Sequence, residues 1–365
     1  MTIDSTTLSC APVSYNDSSV NLSEASEAAA SLRPLRVVAI GGGTGLSTLL
    51  RGLCRHVAAP GQLSLVPGQI ADLAAVVTVT DDGGSSGRLR KDFNMLPPGD
   101  LRNCMVALSE EGDLLAQLFA HRFRAGDGLE GHNFGNLFVA ALTEITGDFG
   151  QAIQLASKIL ATRGKIYPAT TANATLIARM EDGSLVRGET NITASRLRID
   201  ELMIEPPDAK ALPETLAAIE RADLITVGPG SLYTSLITNL LVQGIPVALE
   251  HARGLRVYIC NLMSQANESL GLSASDHIER IYEHTGAPIF DYALVNTGQF
   301  SPVTVARYAA ERAAPILPDI ERIEALGVRV IAGDFASEGS VVRHAAARVT
   351  GALLALGRSS IASRK

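Results

Sequence analysis

Apolar and polar positions alternate along the chain in blocks that predict strands followed by helices. After Pro34 the short apolar run LRVVAI (35–40) is followed by glycines and then by a helical stretch with leucines on one face. Continuous apolar runs of this length are typical of strands that are buried on both faces of a parallel sheet. Similar runs are AAVVTVT (74–80), LITV after Asp223, LRVYICNL (255–262), FDYALVNT (290–297) and VRVIAG (328–333). The pattern predicts an α/β fold with a doubly wound, mostly parallel sheet.

Two long stretches predict helices around these strands. The segment 113–162 repeats apolar positions at helical spacing, and we predict that it is wholly helical. The apolar repeat in RHAAARVTGALLALG predicts a last helix that ends near residue 357.

A change of period near residue 173 predicts a β-rich insert. TLIARMEDGSLVRGET has the pattern of a hairpin, because Asp182-Gly183 supplies a tight turn between two strand-like segments. RLRIDELMIEP continues the insert, and the following prolines close it.

The chain is therefore predicted to form one large domain over 35–357, with the insert at about 170–207. Residues 1–34 are rich in Ser, Thr, Asn and Ala and are predicted to be a disordered tail. Residues 358–365 are predicted to be a second, short tail.

Composition and charge exclude several classes of partner. A net charge of −7, 4% aromatic residues and the absence of Trp argue against a nucleic-acid partner. No apolar run reaches the roughly 18 residues that a membrane span needs. The four scattered cysteines lack a CxxC, which favours reduced thiols in a cytoplasmic protein over disulfides or a zinc site. A homodimer is the expected assembly, because two-fold oligomers are the commonest.

A first glycine-rich loop follows the first predicted strand. Gly41, Gly42, Gly43, Thr44 and Gly45 would let the backbone approach a phosphate at the start of the next helix. The loop lacks the third glycine and the acidic residue of a dinucleotide fingerprint, and no GKS or GKT follows. We therefore expect a nucleotide phosphate but neither NAD nor a flavin; the alternative is a tight strand-to-helix turn.

A second loop of this kind, GPGSLYTS, follows the strand LITV. Its candidate phosphate ligands are Gly228, Pro229, Gly230, Ser231, Tyr233 and Thr234. Alone, the loop would also suit a capped helix entrance. Two such loops in one sheet favour a site that holds two phosphates, because loops at the carboxyl ends of parallel strands lie at one edge.

Asp81 and Asp82 directly follow the second predicted strand. One or both could hold Mg²⁺, which usually binds one or two carboxylates plus substrate phosphates. Neighbouring side chains on extended backbone point to opposite faces, so both reach a ligand only if the chain turns there. The alternative is a solvated turn. Arg88 and Arg90 suit phosphate or carboxylate recognition, although such residues are more often solvated.

Polar residues before two predicted helices complete the candidate set. Asp100 is either a ligand or a helix cap. Asn133 and Asn136 are candidate nucleotide contacts, although Asn133 is also a natural cap, and His132 could bond a ligand hydroxyl or act as a general acid. No nucleophile motif such as GxSxG or HExxH is present. The residues therefore favour binding over catalysis.

Seven blocks in order resemble the gluconeogenesis-factor family of bacterial proteins (the YvcK type), which is related to 2-phospho-L-lactate transferase. The blocks are AIGGGTGLSTLLRGL, VVTVTDDGGSSGRLR, LPPGDLRNC, HNFGNLFVAAL, VGPGSLYTSLITNLLV, YICNLMSQANES and FDYALVN. They run from about residue 36 to 297, with weaker agreement to about 355. The chain departs from the family pattern in SQANES, where Asn267 and Ser269 replace a glycine and a threonine.

The resemblance implies a Rossmann-like core with a nucleoside-diphosphate site. In the gluconeogenesis-factor branch it implies a UDP-sugar ligand such as UDP-N-acetylglucosamine and a role in cell shape and growth on gluconeogenic carbon sources. In the transferase branch it implies a guanosine diphosphate conjugate and Mg²⁺ held by aspartates that match Asp81 or Asp82. The longer SSGRLR and LPPGDLRN blocks place the chain in the first branch. The resemblance also implies that Tyr308 and Arg343 contact the sugar nucleotide.

Overall fold

The computed structural model describes residues 33–58, 69–110, 114–265 and 268–363. Most of the predicted tail at 1–34 and the substituted Asn267 lie outside these residues. Residue 33 already belongs to the folded body, because the Arg33 guanidinium donates to both carboxylate oxygens of Asp223, at 2.6 and 2.8 Å.

Seven strands form a central sheet in which every neighbouring pair is parallel, in the order β10-β9-β8-β7-β1-β2-β3. These strands are β1 (Leu35–Gly41), β2 (Ile70–Val77), β3 (Lys165–Pro168), β7 (Leu224–Val227), β8 (Leu255–Ile259), β9 (Tyr292–Asn296) and β10 (Arg329–Gly333). From β1 the chain moves to β2 and β3 on one side, whereas β7 to β10 lead away on the other. This is the predicted doubly wound α/β fold, and its strand order reverses between β1 and β7.

Two smaller antiparallel sheets accompany the central one. The insert forms β4 (Thr175–Met180), β5 (Leu185–Arg187) and β6 (Ile199–Glu205), in the order β5-β4-β6. Asp182 and Gly183 form the β4–β5 turn, where Gly183 has a φ of 82°, so the predicted hairpin is confirmed. Near the C-terminus, β11 (Ala336–Ser337) and β12 (Arg343–His344) form what we call the C-terminal hairpin.

The helices cover both faces of the central sheet. In chain order they are α1 (Gly43–Cys54), α2 (Gly84–Phe93), α3 (Gly99–Leu108), α4 (Leu114–Ala120), α5 (Phe134–Thr146), α6 (Phe149–Ile159), α7 (Glu189–Ala194), α8 (Pro213–Arg221), a π-helix (Leu232–Ile237) continued by α9 (Thr238–Leu240), α10 (Ile245–Glu250), α11 (Ala274–Thr285), α12 (Pro302–Ala310), α13 (Ile320–Ala325) and α14 (Ala346–Ser363).

Each face of the sheet has its own apolar layer. Val37 and Ala39 of β1 pack among buried residues of α1, α3, α5, α6 and α14, whereas Val38 and Ile40 pack among those of the insert, α8, the π-helix, α10 and α11. Successive side chains of a strand point to opposite faces, so an unbroken apolar strand is needed to fill both layers.

Several sequence-based boundaries were wrong, including that of the second strand, which is Ile70–Val77 and not 74–80. Residues 121–133 are not helical, because the glycine-rich sequence AGDGLEGHN interrupts the apolar repeat between α4 and α5. The strand β3 was not predicted, since it has only four residues and ends in a proline. The last helix continues to Ser363, past the predicted boundary at residue 357, because Ile361 is still buried against the core.

The expectations of reduced cysteines and of no membrane span can be compared with the described residues only. Cys54, Cys104 and Cys260 are buried and form no disulfide with one another, and Cys10 lies outside the described part of the chain. Of the helices that the structure describes, none combines the length and the apolar character that a bilayer crossing demands.

Candidate functional site

The two glycine-rich loops meet at the point where the strand order reverses. The first glycine loop (41–45) follows β1 and the second glycine loop (228–231) follows β7, and these strands are paired, with Ile40 opposite Val227. The loop backbones touch: a Cβ on Gly45 would stand 2.4 Å from the carbonyl oxygen of Pro229. Only glycine fits there. In open parallel sheets, ligands bind in the crevice at such a switch point.

A cavity of about 280 Å³, which we call the glycine-loop cavity, lies over the two loops. The segment 261–265 after β8 forms a third wall, and Tyr308 with residues 341–344 of the C-terminal hairpin forms a fourth. Its lining residues from the predicted set are Gly42, Gly43, Thr44, Gly45, Pro229, Gly230, Ser231, Tyr308 and Arg343. Nine residues that the sequence separates by up to three hundred positions are therefore brought together.

Tyr308 holds the segment that carries Arg343 in place. The hydroxyl of Tyr308 accepts a hydrogen bond of 2.8 Å from the backbone N–H of Val342, so α12 holds the C-terminal hairpin next to the cavity. His344 bonds the carbonyl oxygen of Cys260 through Nε2 at 3.0 Å, and burial lowers the pKa of His344 to about 4. The guanidinium of Arg343 bonds none of the described residues. A free cation thus faces the two loops.

The first turn of α1 supplies amides to the same cavity. An α-helix leaves its first N–H groups without intrahelical partners, and those of Thr44 and Gly45 belong to this turn. The N–H of Gly43 differs, because it donates to Oδ2 of Asp100 at 2.8 Å. Burial raises the pKa of Asp100 to about 6, even though this hydrogen bond lowers it. A carboxylate therefore already lies against the first glycine loop.

The other predicted residues of the glycine loops lie outside the cavity. Gly41 ends β1, and the N–H of Gly228 bonds the carbonyl oxygen of Ile40 at 2.9 Å. Tyr233 and Thr234 are 1% and 4% exposed. Their backbone N–H groups and the Thr234 hydroxyl all donate to the carboxylate of Glu268, at 2.9 to 3.4 Å. The expectation that Tyr233 and Thr234 bind a phosphate therefore finds no support in this geometry, because an internal carboxylate takes their donors.

Asn133 and Asn136 have structural partners instead of facing the cavity. Both are 1% exposed. Oδ1 of Asn133 accepts from the N–H of Asn136 at 3.2 Å and so caps α5, while Nδ2 of Asn136 donates to Oγ of Ser85 at 3.2 Å. Nδ1 of His132 also bonds Ser85 Oγ, at 3.2 Å. These residues attach α5 to the first turn of α2, which explains their density in the sequence without a ligand.

Two arginines of α2, Arg88 and Arg90, also connect this helix to neighbouring segments. Arg90 donates through Nε to Oδ1 of Asn173 at 2.9 Å and bonds the start of β4. Arg88 donates to the carbonyl oxygen of Glu130 at 2.9 Å. Both side chains therefore fasten α2 to neighbouring segments; Arg88 is exposed, as the solvated alternative expected, whereas Arg90 is half-buried. That they recognise a phosphate stays a prediction.

The two adjacent aspartates point in different directions, as extended backbone requires. Oδ1 of Asp81 accepts from the N–H of Gly83 at 2.9 Å. Asp82 reaches the insert, where its Oδ1 accepts from the N–H and the hydroxyl of Thr190 at 2.8 and 2.6 Å. The two carboxylates therefore do not form a pair that could chelate one ion.

Other carboxylates gather near Asp81. Burial, followed by the charges of Asp81 and Asp100, raises the pKa of Glu189 to about 9. No group of three or more His, Cys, Asp or Glu residues suited to a metal ion occurs among the described residues. Mg²⁺ needs only one or two carboxylates when phosphates supply further oxygens, and Asp81 and Asp100, whose charges act on each other, would be its ligands here. A cation there would also relieve the mutual repulsion of these acids.

Sequence reasoning missed several residues of the site. Oδ1 of Asn261 accepts from the N–H of Gly230 at 3.4 Å, and Nε2 of Gln265 donates to Oγ of Ser231 at 2.9 Å. Both line the cavity. The signal was present, since CNLMSQANES follows a predicted buried strand, but its individual side chains could not be ranked. Nothing in the sequence pointed to Glu189 as a residue of the site, because it belongs to the insert and is far from the glycine loops along the chain.

The comparisons with known proteins agree in placing the chain. The family model described as 2-phospho-L-lactate transferase CofD matches residues 37–336. A gluconeogenesis factor of Halalkalibacterium halodurans is 47% identical over 324 residues, which cover 88% of this chain and 97% of that protein. The gluconeogenesis factor of Bacillus subtilis is 43% identical over 322 residues, which cover 88% and 98%.

A solved structure has the same architecture. The X-ray crystal structure of a Bacillus halodurans protein superposes with a TM-score of 0.83 at 47% identity, covering 88% of this chain and 100% of that one. A second crystal structure of the same protein, described as a member of the UPF0052 family, gives a TM-score of 0.82 at 46% identity. The chain therefore belongs to the CofD/UPF0052 family, and its similar relatives include proteins named gluconeogenesis factors.

Proposed function

We propose that this protein binds a nucleoside-diphosphate sugar of the UDP-N-acetylglucosamine type in the glycine-loop cavity. We further propose that it acts as a regulator of cell shape and envelope growth on gluconeogenic carbon sources. The observation that supports binding most strongly is the meeting of two glycine loops and the free guanidinium of Arg343 at one switch point.

The residues of the cavity suit the parts of such a ligand. The amides of Thr44 and Gly45, at the positive end of α1, favour an anion. Arg343 can donate two parallel hydrogen bonds to a phosphate. The side-chain amides of Asn261 and Gln265 offer both donors and acceptors for hydroxyl groups or a base edge. Asp81 and Asp100 would hold Mg²⁺, which would screen the diphosphate from these carboxylates.

A second candidate function is a Mg²⁺-dependent transferase that acts on a guanosine diphosphate conjugate. The family model and the carboxylates near Asp81 favour it. Incubation with the donor conjugate, a deazaflavin acceptor and Mg²⁺ separates the two functions. Release of GMP would support the transferase, and its absence in a protein that binds UDP-N-acetylglucosamine would support the regulator.

Isothermal titration tests binding. We expect saturable heat with UDP-N-acetylglucosamine, and at least about tenfold weaker binding in Arg343→Ala, because a charge-assisted hydrogen bond is lost. Arg124→Ala is the matched control, since Arg124 is exposed in the loop before α5 and lies outside the cavity. Equal affinity of the Arg343 variant and the wild type, or saturable heat with another nucleotide alone, would contradict the proposal. The predicted homodimer and the predicted lack of a nucleic-acid partner stay predictions.

A further inference from the structure

A second cavity, of about 250 Å³, lies between the insert and α11 and shares no lining residue with the first. We call it the insert cavity. Its walls are residues 196–200, Glu181, Tyr233, Glu268, Leu270, Leu272 and Arg280. Its volume is close to that of the glycine-loop cavity, so the chemistry of its walls, and not its size, indicates the occupant.

Three arginines and three acids line this cavity, and two of the arginines have no side-chain partner among the described residues. The guanidinium groups of Arg196 and Arg198 are exposed and form no ion pair or hydrogen bond with the described residues. The acids that line the cavity are already engaged: Asp200 pairs with Arg179 at 3.4 Å, and Glu268 accepts from Tyr233 and Thr234.

The remaining charged residues of the cavity are also engaged. Glu181 accepts from the backbone N–H of Arg198 at 3.3 Å, and Arg280 pairs with Glu283 of its own helix at 2.8 Å. Two guanidinium groups without partners at the mouth of one cavity suit a carboxylate or phosphate, because a guanidinium presents a fork of donors to such groups.

The rest of the cavity wall is apolar. Leu270 is 44% exposed, Leu197 and Leu272 are half-buried, and Ile199 lies beneath them. One exposed and two half-buried leucines lie next to arginines without partners, and this combination favours a ligand that joins an anionic group to an apolar body.

One wall of the insert cavity is connected to the glycine-loop cavity. Glu268 lines the insert cavity and holds the N–H groups of Tyr233 and Thr234 at the start of the π-helix. That helix begins directly after Ser231, whose hydroxyl accepts from Gln265 in the glycine-loop cavity. A ligand that shifts Glu268 would therefore shift the second glycine loop.

We propose that the insert cavity binds a small organic anion with an apolar body and that its occupancy changes the nucleotide affinity of the glycine-loop cavity. The binding claim is independent of the proposed function, whereas the effector role rests on it. Coupling of this kind is reciprocal, so the nucleotide changes the affinity for the anion by the same factor.

Phenyl phosphate is a suitable probe, because it joins a phosphate to an apolar ring. We expect saturable binding by isothermal titration, with at least about tenfold loss in the Arg196→Ala/Arg198→Ala double variant. Arg124→Ala is the control: it removes an exposed cation that lines neither cavity and should leave phenyl phosphate binding within about twofold. The lysine double variant keeps the charge and loses the fork, so it should bind with intermediate affinity.

Different outcomes would overturn the binding site and the effector role. Wild-type affinity in the double alanine variant, unmeasurable binding in the wild type, or loss of binding in Arg124→Ala would overturn the site. If the effector role is right, saturating phenyl phosphate changes the dissociation constant of UDP-N-acetylglucosamine in the wild type but not in the double variant. An unchanged dissociation constant in the wild type would overturn the effector role. If UDP-N-acetylglucosamine itself does not bind, the proposed function fails while the phenyl phosphate titration still decides the site.

Discussion

At the scale of single residues, the site is notable for acids that lie where phosphates are expected. Asp100 bonds the amide of Gly43, and Glu189 lies within electrostatic reach of Asp81 and Asp100. Both carboxyl pKa values are raised, mainly by burial. A cation or a proton is therefore needed before an anionic ligand enters next to them.

Asp100→Asn tests this electrostatic cost. The folded-state pKa of about 6 lies above the ordinary value of 3.8, so the ionised carboxyl destabilises the fold, and this loss develops as the pH rises from about 4 to 6. We expect the variant to be more stable than the wild type by about 1–3 kcal/mol at pH 7.5 and equal to it at pH 4. Urea unfolding at both pH values measures the difference. Asp127→Asn, in an exposed loop, should change neither value, and an equal effect of Asp100→Asn at both pH values would contradict the account.

Tyr308→Phe tests whether Tyr308 positions the C-terminal hairpin. The substitution removes only the acceptor for the N–H of Val342. We expect nucleotide affinity to fall by about three- to tenfold, because one hydrogen bond contributes about 1 kcal/mol. The melting temperature should change little. Tyr292→Phe, in β9 and away from the cavity, is the matched control; unchanged affinity in Tyr308→Phe would show that the hydroxyl does not matter.

At the scale of elements, the π-helix after β7 is stabilised by a side chain from a loop far along the chain. The carboxylate of Glu268 accepts three hydrogen bonds at its first residues, and burial raises the pKa of Glu268 although these bonds lower it. An anion at such a position also interacts favourably with the helix dipole. The start of the π-helix, which the sequence predicted to bind a phosphate, therefore binds a carboxylate of the protein itself.

Glu268→Ala should destabilise the protein by about 2–4 kcal/mol, because buried donors on Tyr233 and Thr234 lose their acceptor. Chemical denaturation measures the change. Glu324→Ala, an exposed acid in α13, should have an effect near zero. A similarly small effect for Glu268→Ala would mean that its hydrogen bonds do not hold the π-helix.

The sequence identified most elements but could not assign all partners. Apolar runs predicted β1 and β7 because burial on both faces leaves a continuous signal. The loop 121–133 was read as helix, since its glycines were outweighed by the flanking apolar repeats. Asn136 was a candidate ligand contact, and Arg90 was expected to meet a phosphate or solvent, because polar density alone does not distinguish a ligand from another part of the chain. Glu268 could not be placed, since its contact with Tyr233 spans 35 residues and has no local pattern.

At the scale of the whole molecule, strand order explains why the candidate site lies where it does. β1 and β7 are neighbours, and their loops open at the reversal of strand order with the C-terminal hairpin across from them. The insert contributes Glu189, which interacts with the charges of Asp81 and Asp100, and one wall of the insert cavity. One parallel sheet thus brings three distant parts of the chain around a single crevice.

The most direct test of the central claim is a crystal structure of the full chain with UDP-N-acetylglucosamine and Mg²⁺ at saturating concentration. The account predicts the diphosphate between the two glycine loops, within hydrogen-bond distance of the Thr44 and Gly45 amides and of the Arg343 guanidinium. The ion should contact a carboxylate of Asp81 or Asp100. A nucleotide bound elsewhere, or a diphosphate that touches neither loop, would contradict the account.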